Sequence, residues 1–123
     1  MLTEYGLEPA LRALADRTPL PVELDVELED RLPAPVEAAA YYVAAEALTN
    51  VAKHARANAV NVRVSRGNGR AVIEVADDGR GGADATGSGL RGLADRVEAL
   101  AGRLAVTSTA GAGTTLRAEM PCA

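Results

Sequence analysis

Glu46, Asn50, Lys53 and His54 fall at relative positions 0, 4, 7 and 8, which a helical repeat gathers into an arc of about 100°. Each side chain brings a different chemistry. A carboxylate orients water, an amide oxygen suits a hard cation such as Mg2+, and an amine meets phosphate. Spacing alone equally allows a solvated helix face. A second group, Asp77-Asp78-Gly79-Arg80-Gly81-Gly82, comes straight after an apolar run. Asp77 therefore stands at a strand end, and the glycines beyond it let backbone approach a flat ligand. A third group, Gly87-Ser88-Gly89-Leu90, opens a helix. Free N–H groups and the positive end of a helix dipole make that point an anion site, with phosphate the natural anion. For both glycine groups, a flexible surface loop is the competing reading.

One pattern misleads. Gly87-Ser88-Gly89-Leu90-Arg91-Gly92 satisfies the G-x-G-x-x-G spacing of dinucleotide-binding folds. That fingerprint belongs immediately after its strand, with an acidic residue about twenty positions on. Here the strand ends near Ala76, and Val106 to Gly111 offers only Thr, Ser, Ala and Gly besides the valine. No Walker lysine pattern occurs either. Both readings fail.

The elements that must position these residues follow from periodicity. Leu7, Leu11 and Leu14 predict a short helix over Thr3 to Arg17, closed by Thr18-Pro19-Leu20-Pro21. Val22 to Leu28 alternates apolar and acidic residues, a half-buried strand with one wet face. Pro35 then opens the longest helix, Val36 to Ala55, whose core stripe is Ala40, Ala44, Ala47, Leu48, Val51 and Ala55. A hairpin follows, with Val60, Val62 and Val64 on one strand, a turn at Gly67-Asn68-Gly69, and Ala71 to Ala76 returning. Leu90 to Leu100 reads as a helix ended by Gly102. A last hairpin joins Leu104 to Thr107 with Thr114 to Met120. Helices on one face of a mixed, mostly antiparallel sheet make a two-layer α/β sandwich.

Composition sets the limits. A chain of 123 residues, 48% hydrophobic and 24% charged, suits one globular domain. Thirteen basic against seventeen acidic residues argue against nucleic-acid binding, which favours basic surfaces. The single cysteine, Cys122, cannot close an internal disulfide and reads as a C-terminal bystander in a reducing compartment. No apolar run approaches the length of about 20 residues that a membrane span needs. Without Phe or Trp, the core must be built from Ala, Val and Leu, so backbones come close together.

Taken in order, these motifs resemble those of sensor histidine kinase ATP-binding domains, within the wider ATPase superfamily shared with gyrase and the mismatch-repair ATPases. Glu46-Ala47-Leu48-Thr49-Asn50-Val51-Ala52-Lys53-His54-Ala55 resembles their N box. Asp77-Asp78-Gly79-Arg80-Gly81 is similar to the first glycine box, D-x-G-x-G. Gly87-Ser88-Gly89-Leu90-Arg91-Gly92-Leu93, running on to Gly102, resembles the second. Gly111-Ala112-Gly113-Thr114-Thr115-Leu116 matches the closing G-x-G-T element. The resemblance spans about Leu20 to Pro121. Its second box is closest to the subfamily that pairs with response regulators bearing helix-turn-helix output domains.

The resemblance implies a role for each position. Asp77 accepts the adenine amino hydrogen, Gly79 and Gly81 let the chain pass close to the base, and Thr114 helps hold it through water. Asn50 ligates Mg2+, and Glu46 is the catalytic residue that orients water or the attacking group. Lys53 and His54 approach the phosphates of ATP or ADP. Gly87, Ser88, Gly89 and Leu90 give them backbone N–H groups, and residues 83–88 form a short lid.

The same resemblance implies what lies outside the chain. Histidine kinases phosphorylate a histidine on a separate helical domain. The one histidine here, His54, belongs to the N box and is poorly placed for in-line attack on its own nucleotide. The expectation is a linker helix over residues 1–19, leading from an absent phosphoacceptor domain, and an ATP-binding catalytic domain over residues 20–123. The partners implied are that helical domain and a cognate response regulator. A cytoplasmic monomer without membrane contact is expected, with the parent protein anchored or not. Two other readings share the motifs: a serine kinase of the anti-sigma-factor type, and a non-catalytic nucleotide-binding docking module.

Overall fold

A computed structural model describes residues 6–28, 31–52, 58–79, 88–109 and 113–122. Its elements are α1 (Leu7–Arg17), β1 (Val22–Glu27), α2 (Ala34–Asn50), β2 (Val60–Gly67), β3 (Arg70–Asp77), α3 (Ser88–Glu98), β4 (Arg103–Thr109) and β5 (Gly113–Pro121). The strands form one sheet in the order β1-β2-β3-β5-β4. β1 runs parallel to β2, and the other three neighbouring pairs are antiparallel. The helices lie on one side, so the expected two-layer α/β sandwich is the observed fold.

The two faces of the sheet differ as strand alternation requires. On the helix side, the rows Val62–Val75–Leu116–Val106 and Val64–Ile73–Ala118–Leu104 cross the strands in register. Ile73 and Ala118 are fully buried there. On the open side, the row Asp25–Arg63–Glu74–Arg117 alternates in charge. Arg63 lies 3.7 Å from Asp25, and Arg117 bridges Glu74 at 3.9 Å and Glu119 at 3.0 Å. Exposed pairs of this kind stabilise by about 0–1 kcal/mol each. They keep this face wet.

Helix α2 buries Val36, Ala39, Ala40, Val43, Ala44, Ala47 and Leu48, with Val51 just beyond it. The expected alanine stripe is therefore the core face, and the small side chains let the helix lie close on β3 and β5. Ala55 lies outside the described residues. Helix α1 starts at Leu7, with Gly6 at φ 90 standing outside it, and the expected start at Thr3 lies outside the described residues. Pro9 fits the first turn, where its missing N–H has no partner to lose. Leu7, Ala10 and Leu11 are buried, so α1 belongs to the same core as α2 and β1.

Near the start of α1 sits the only buried charge among the described residues. Glu37 is 2% exposed and accepts from Arg31 at 2.7 Å through Nη2 and at 3.4 Å through Nε. The hydrogen bond to Glu37 raises the Arg31 pKa further above its already high value. The same guanidinium covers Gly6, where an added Cβ would stand 3.4 Å from Nε. One ion pair thus joins the start of α1 to the first turn of α2.

Two chain reversals show different solutions. The β2–β3 hairpin turns through Asn68 (φ 56) and Gly69 (φ 73), the left-handed pair that a two-residue turn between twisted strands demands. At the end of α3 the left-handed residue is Ala101 (φ 61), not the expected Gly102. Gly102 N–H donates to the Val97 carbonyl and Ala101 N–H to the Glu98 carbonyl, both at 2.9 Å, which makes a Schellman end. Gly102 is a glycine for another reason. A Cβ there would collide with the Glu119 carbonyl oxygen and crowd Val97 and Met120. Cys122 is buried, 6% exposed, and its backbone N–H donates to the Gly69 carbonyl at 2.9 Å. Among the described residues, no helix is long and apolar enough to cross a membrane.

Candidate functional site

Topology alone brings the motifs to one end of the sheet. Val22 of β1 pairs with Val60 of β2, and Val60 pairs with Asp77 of β3. The start of β1, the start of β2 and the end of β3 therefore share an end. Because β1 and β2 are parallel, α2 must return the chain to that end, and its last turn arrives there carrying Asn50. From Asp77 the chain passes to α3 and on to Arg103, which pairs with Glu119 at the opposite end. So α3 starts near Asp77 and runs away from it. Gly113 begins β5 at the Asp77 end, since Thr114 pairs with Asp77. The last turn of α2, the end of β3, the first turn of α3 and the start of β5 converge.

Within this cluster Glu46 and Asn50 sit one turn apart on α2, both half-buried. Arg96 of α3 lies 3.8 Å above the ring centre of Tyr42, one turn before Glu46. That cation–π contact fastens α3 to the helix that carries the polar stripe. On the other flank, Arg17 of α1 donates to the Tyr41 hydroxyl at 3.3 Å. The site-bearing helix is gripped by its neighbours on both sides.

Asp77 is half-buried, and its Oδ1 accepts the N–H of Gly79 at 2.7 Å. This turn engages Oδ1 and not Oδ2. Gly79 itself is buried. Thr114 stands directly across the ladder from Asp77. Helix α3 is described from Ser88, so the backbone of Ser88, Gly89 and Leu90 forms its first described turn. Eight sequence-derived positions are thus brought to one end among the described residues: Glu46, Asn50, Asp77, Gly79 and Thr114, and the backbone of Ser88, Gly89 and Leu90. Lys53, His54, Gly81 and Gly87 lie outside the described residues, as does the lid up to residue 87.

Two neighbours escaped the sequence reading of the site. Gly113 has φ +87, and a Cβ on it would strike the Asp77 carbonyl oxygen. Its place in the G-x-G-T element could have marked it. Asp78 accepts from the N–H groups of Asn58 and Ala59 at 2.8 and 3.1 Å. These bonds, Ala59 first, hold its carboxyl below the usual carboxylate range. A doubled aspartate at a strand end was the only available signal.

Residues 36–123 match the family described as histidine kinase-, DNA gyrase B-, and HSP90-like ATPase. The sensor histidine kinase MctS of Rhizobium johnstonii is 38% identical over 98% of this chain, which spans 29% of that protein. The signal transduction histidine-protein kinase/phosphatase DegS of Brevibacillus brevis is 32% identical over 98% of the chain, which spans 33% of it. Among solved structures, the blue-light activated histidine kinase EL346 of Erythrobacter litoralis superposes with a TM-score of 0.79 at 28% identity. That match covers 94% of this chain and 40% of the other. The chain spans about a third or less of the length of the curated relatives it matches.

Proposed function

This chain belongs to the histidine kinase-, DNA gyrase B- and HSP90-like ATPase family, as a sensor-kinase ATP-binding domain, and from that premise we propose how its residues work. ATP lies at the end of the sheet where Asp77 and Thr114 face each other. Asp77 accepts the adenine amino hydrogen, Thr114 supports the base through water, and Gly79 and Gly81 let the backbone run beside it. The backbone N–H groups at Gly87 to Leu90 meet the phosphates, aided by Lys53 and His54.

The donor set on α2 fits Mg2+. Glu46 and Asn50 are hard oxygen donors on one half-buried face, and Mg2+ takes few protein ligands beside water and phosphate oxygens. Asn50 is its ligand, and Glu46 orients the attacking group. Bound there, the ion would supply positive charge beside the phosphate oxygens. The rest of catalysis is positioning: the chain holds the donor in line with a nucleophile that it does not itself supply.

That nucleophile is a histidine on a helical domain reached through residues 1–19, whose helix α1 packs into this domain's own core, and a response regulator receives the phosphoryl group next. The setting is cytoplasmic. The observation that carries the reading is the register pairing of Asp77 with Thr114 beside the last turn of α2. Calorimetry tests it. ATP and ADP should bind far better than GTP, and Asp77→Asn should remove about 1.5–3 kcal/mol of ATP binding with one charged hydrogen bond. Equal binding of ATP and GTP to the unsubstituted chain would refute the adenine assignment.

A further inference from the structure

Asp78 is exposed and next to the base acceptor, and its side chain reaches toward the neighbouring strand. The β2–β3 ladder ends at Val60 and Asp77. Beyond that point Val60 N–H has gone to the Pro21 carbonyl at 3.0 Å, on the β1 side. The two preceding N–H groups, Asn58 and Ala59, both donate to Asp78 Oδ1. A side-chain oxygen continues the ladder where the backbone leaves it.

Successive carboxylates therefore do separate jobs. Asp78 ties the exit of β3 to β2, while Asp77 closes its own turn on Gly79. On the β5 side the same exit is hemmed in at Gly113, where an added Cβ would stand 3.3 Å from Asp78 Cα. The chain at residues 77–79 is held from both neighbouring strands.

We propose that Asp78 is a positioning residue for nucleotide choice: by clasping Asn58 and Ala59 it fixes the exit of β3 and so the aim of the Asp77 carboxylate at the base. This rests on the reading of Asp77 as the adenine acceptor. The clasp needs an acceptor oxygen at one place, so Asn satisfies it and Ala does not.

The test is calorimetric titration of the whole chain with ATP and with GTP. Asp78→Ala should weaken ATP binding about tenfold and bring the ATP-to-GTP ratio down toward that of Asp77→Asn. Asp78→Asn should stay within about twofold of the unsubstituted chain, and Asp78→Ala added to Asp77→Asn should change the ratio no further. Should Asp78→Ala not fold, Asp78→Ser replaces it with the same expected loss, its hydroxyl being too short for both N–H groups. A residue that only stabilised the fold would leave the ratio where it was. An unmoved ratio in a chain that prefers ATP overturns the inference alone; a chain with no preference for ATP overturns the Asp77 reading and the inference with it.

Discussion

Asp77 and Thr114 are direct partners across the β3–β5 ladder, and the residue before Thr114 is a glycine that leaves no room for a side chain beside the Asp77 carbonyl. The two halves of the base site, some forty residues apart in sequence, are thus set at fixed register by backbone pairing. Gly113→Ala should destabilise the chain by about 2–3 kcal/mol, from the left-handed φ and the collision together. Thermal unfolding checks this. An unchanged melting temperature would mean that β5 starts elsewhere.

The last turn of α2 makes a separable prediction. Asn50→Ala should weaken Mg-ATP binding while leaving ADP binding in the absence of metal nearly intact. Titrations with and without Mg2+ distinguish the two. An equal loss in both would make Asn50 a structural residue of the helix end.

The end of α3 distinguishes conformation from space. Ala101 holds the left-handed position, so Ala101→Gly should stabilise by about 0.5–1 kcal/mol. Gly102 holds the crowded position against Glu119, Val97 and Met120, so Gly102→Ala should destabilise by about 1–3 kcal/mol. Denaturant midpoints of the two variants should move in opposite directions. Movement in the same direction would contradict the assignment.

That helix end also shows what the sequence could and could not disclose. Gly102 marks the stop correctly, but a glycine after a helix looks the same whether it is needed for its φ or for its missing Cβ. Only the approach of β5 decides. The alternation in β1, the alanine stripe of α2 and the Asn68-Gly69 turn were legible, because each follows from local periodicity or one turn type. The burial of Leu7, Ala10 and Leu11 was not, since a short amphipathic helix does not say what it packs on. Nor was the Asp78 clasp, whose partners lie 19 and 20 residues away. At the site, residue types and motif order were readable in one dimension. Their convergence needed the parallel pairing of β1 and β2, which forces α2 back to the Asp77 end.

On the proposed reading this chain presents the donor and another domain supplies the nucleophile. The direct measurement is transfer from γ-labelled ATP, with this chain incubated alone and then mixed with the helical domain of its parent protein. Alone it should stay unlabelled. Mixed, it should label a histidine of that domain slowly, because separation removes the high effective concentration of a tether. Glu46→Ala should suppress transfer more than ATP binding. Stable label on His54 of the isolated chain, or label on a serine of a separate small protein in place of the helical domain, would contradict the account.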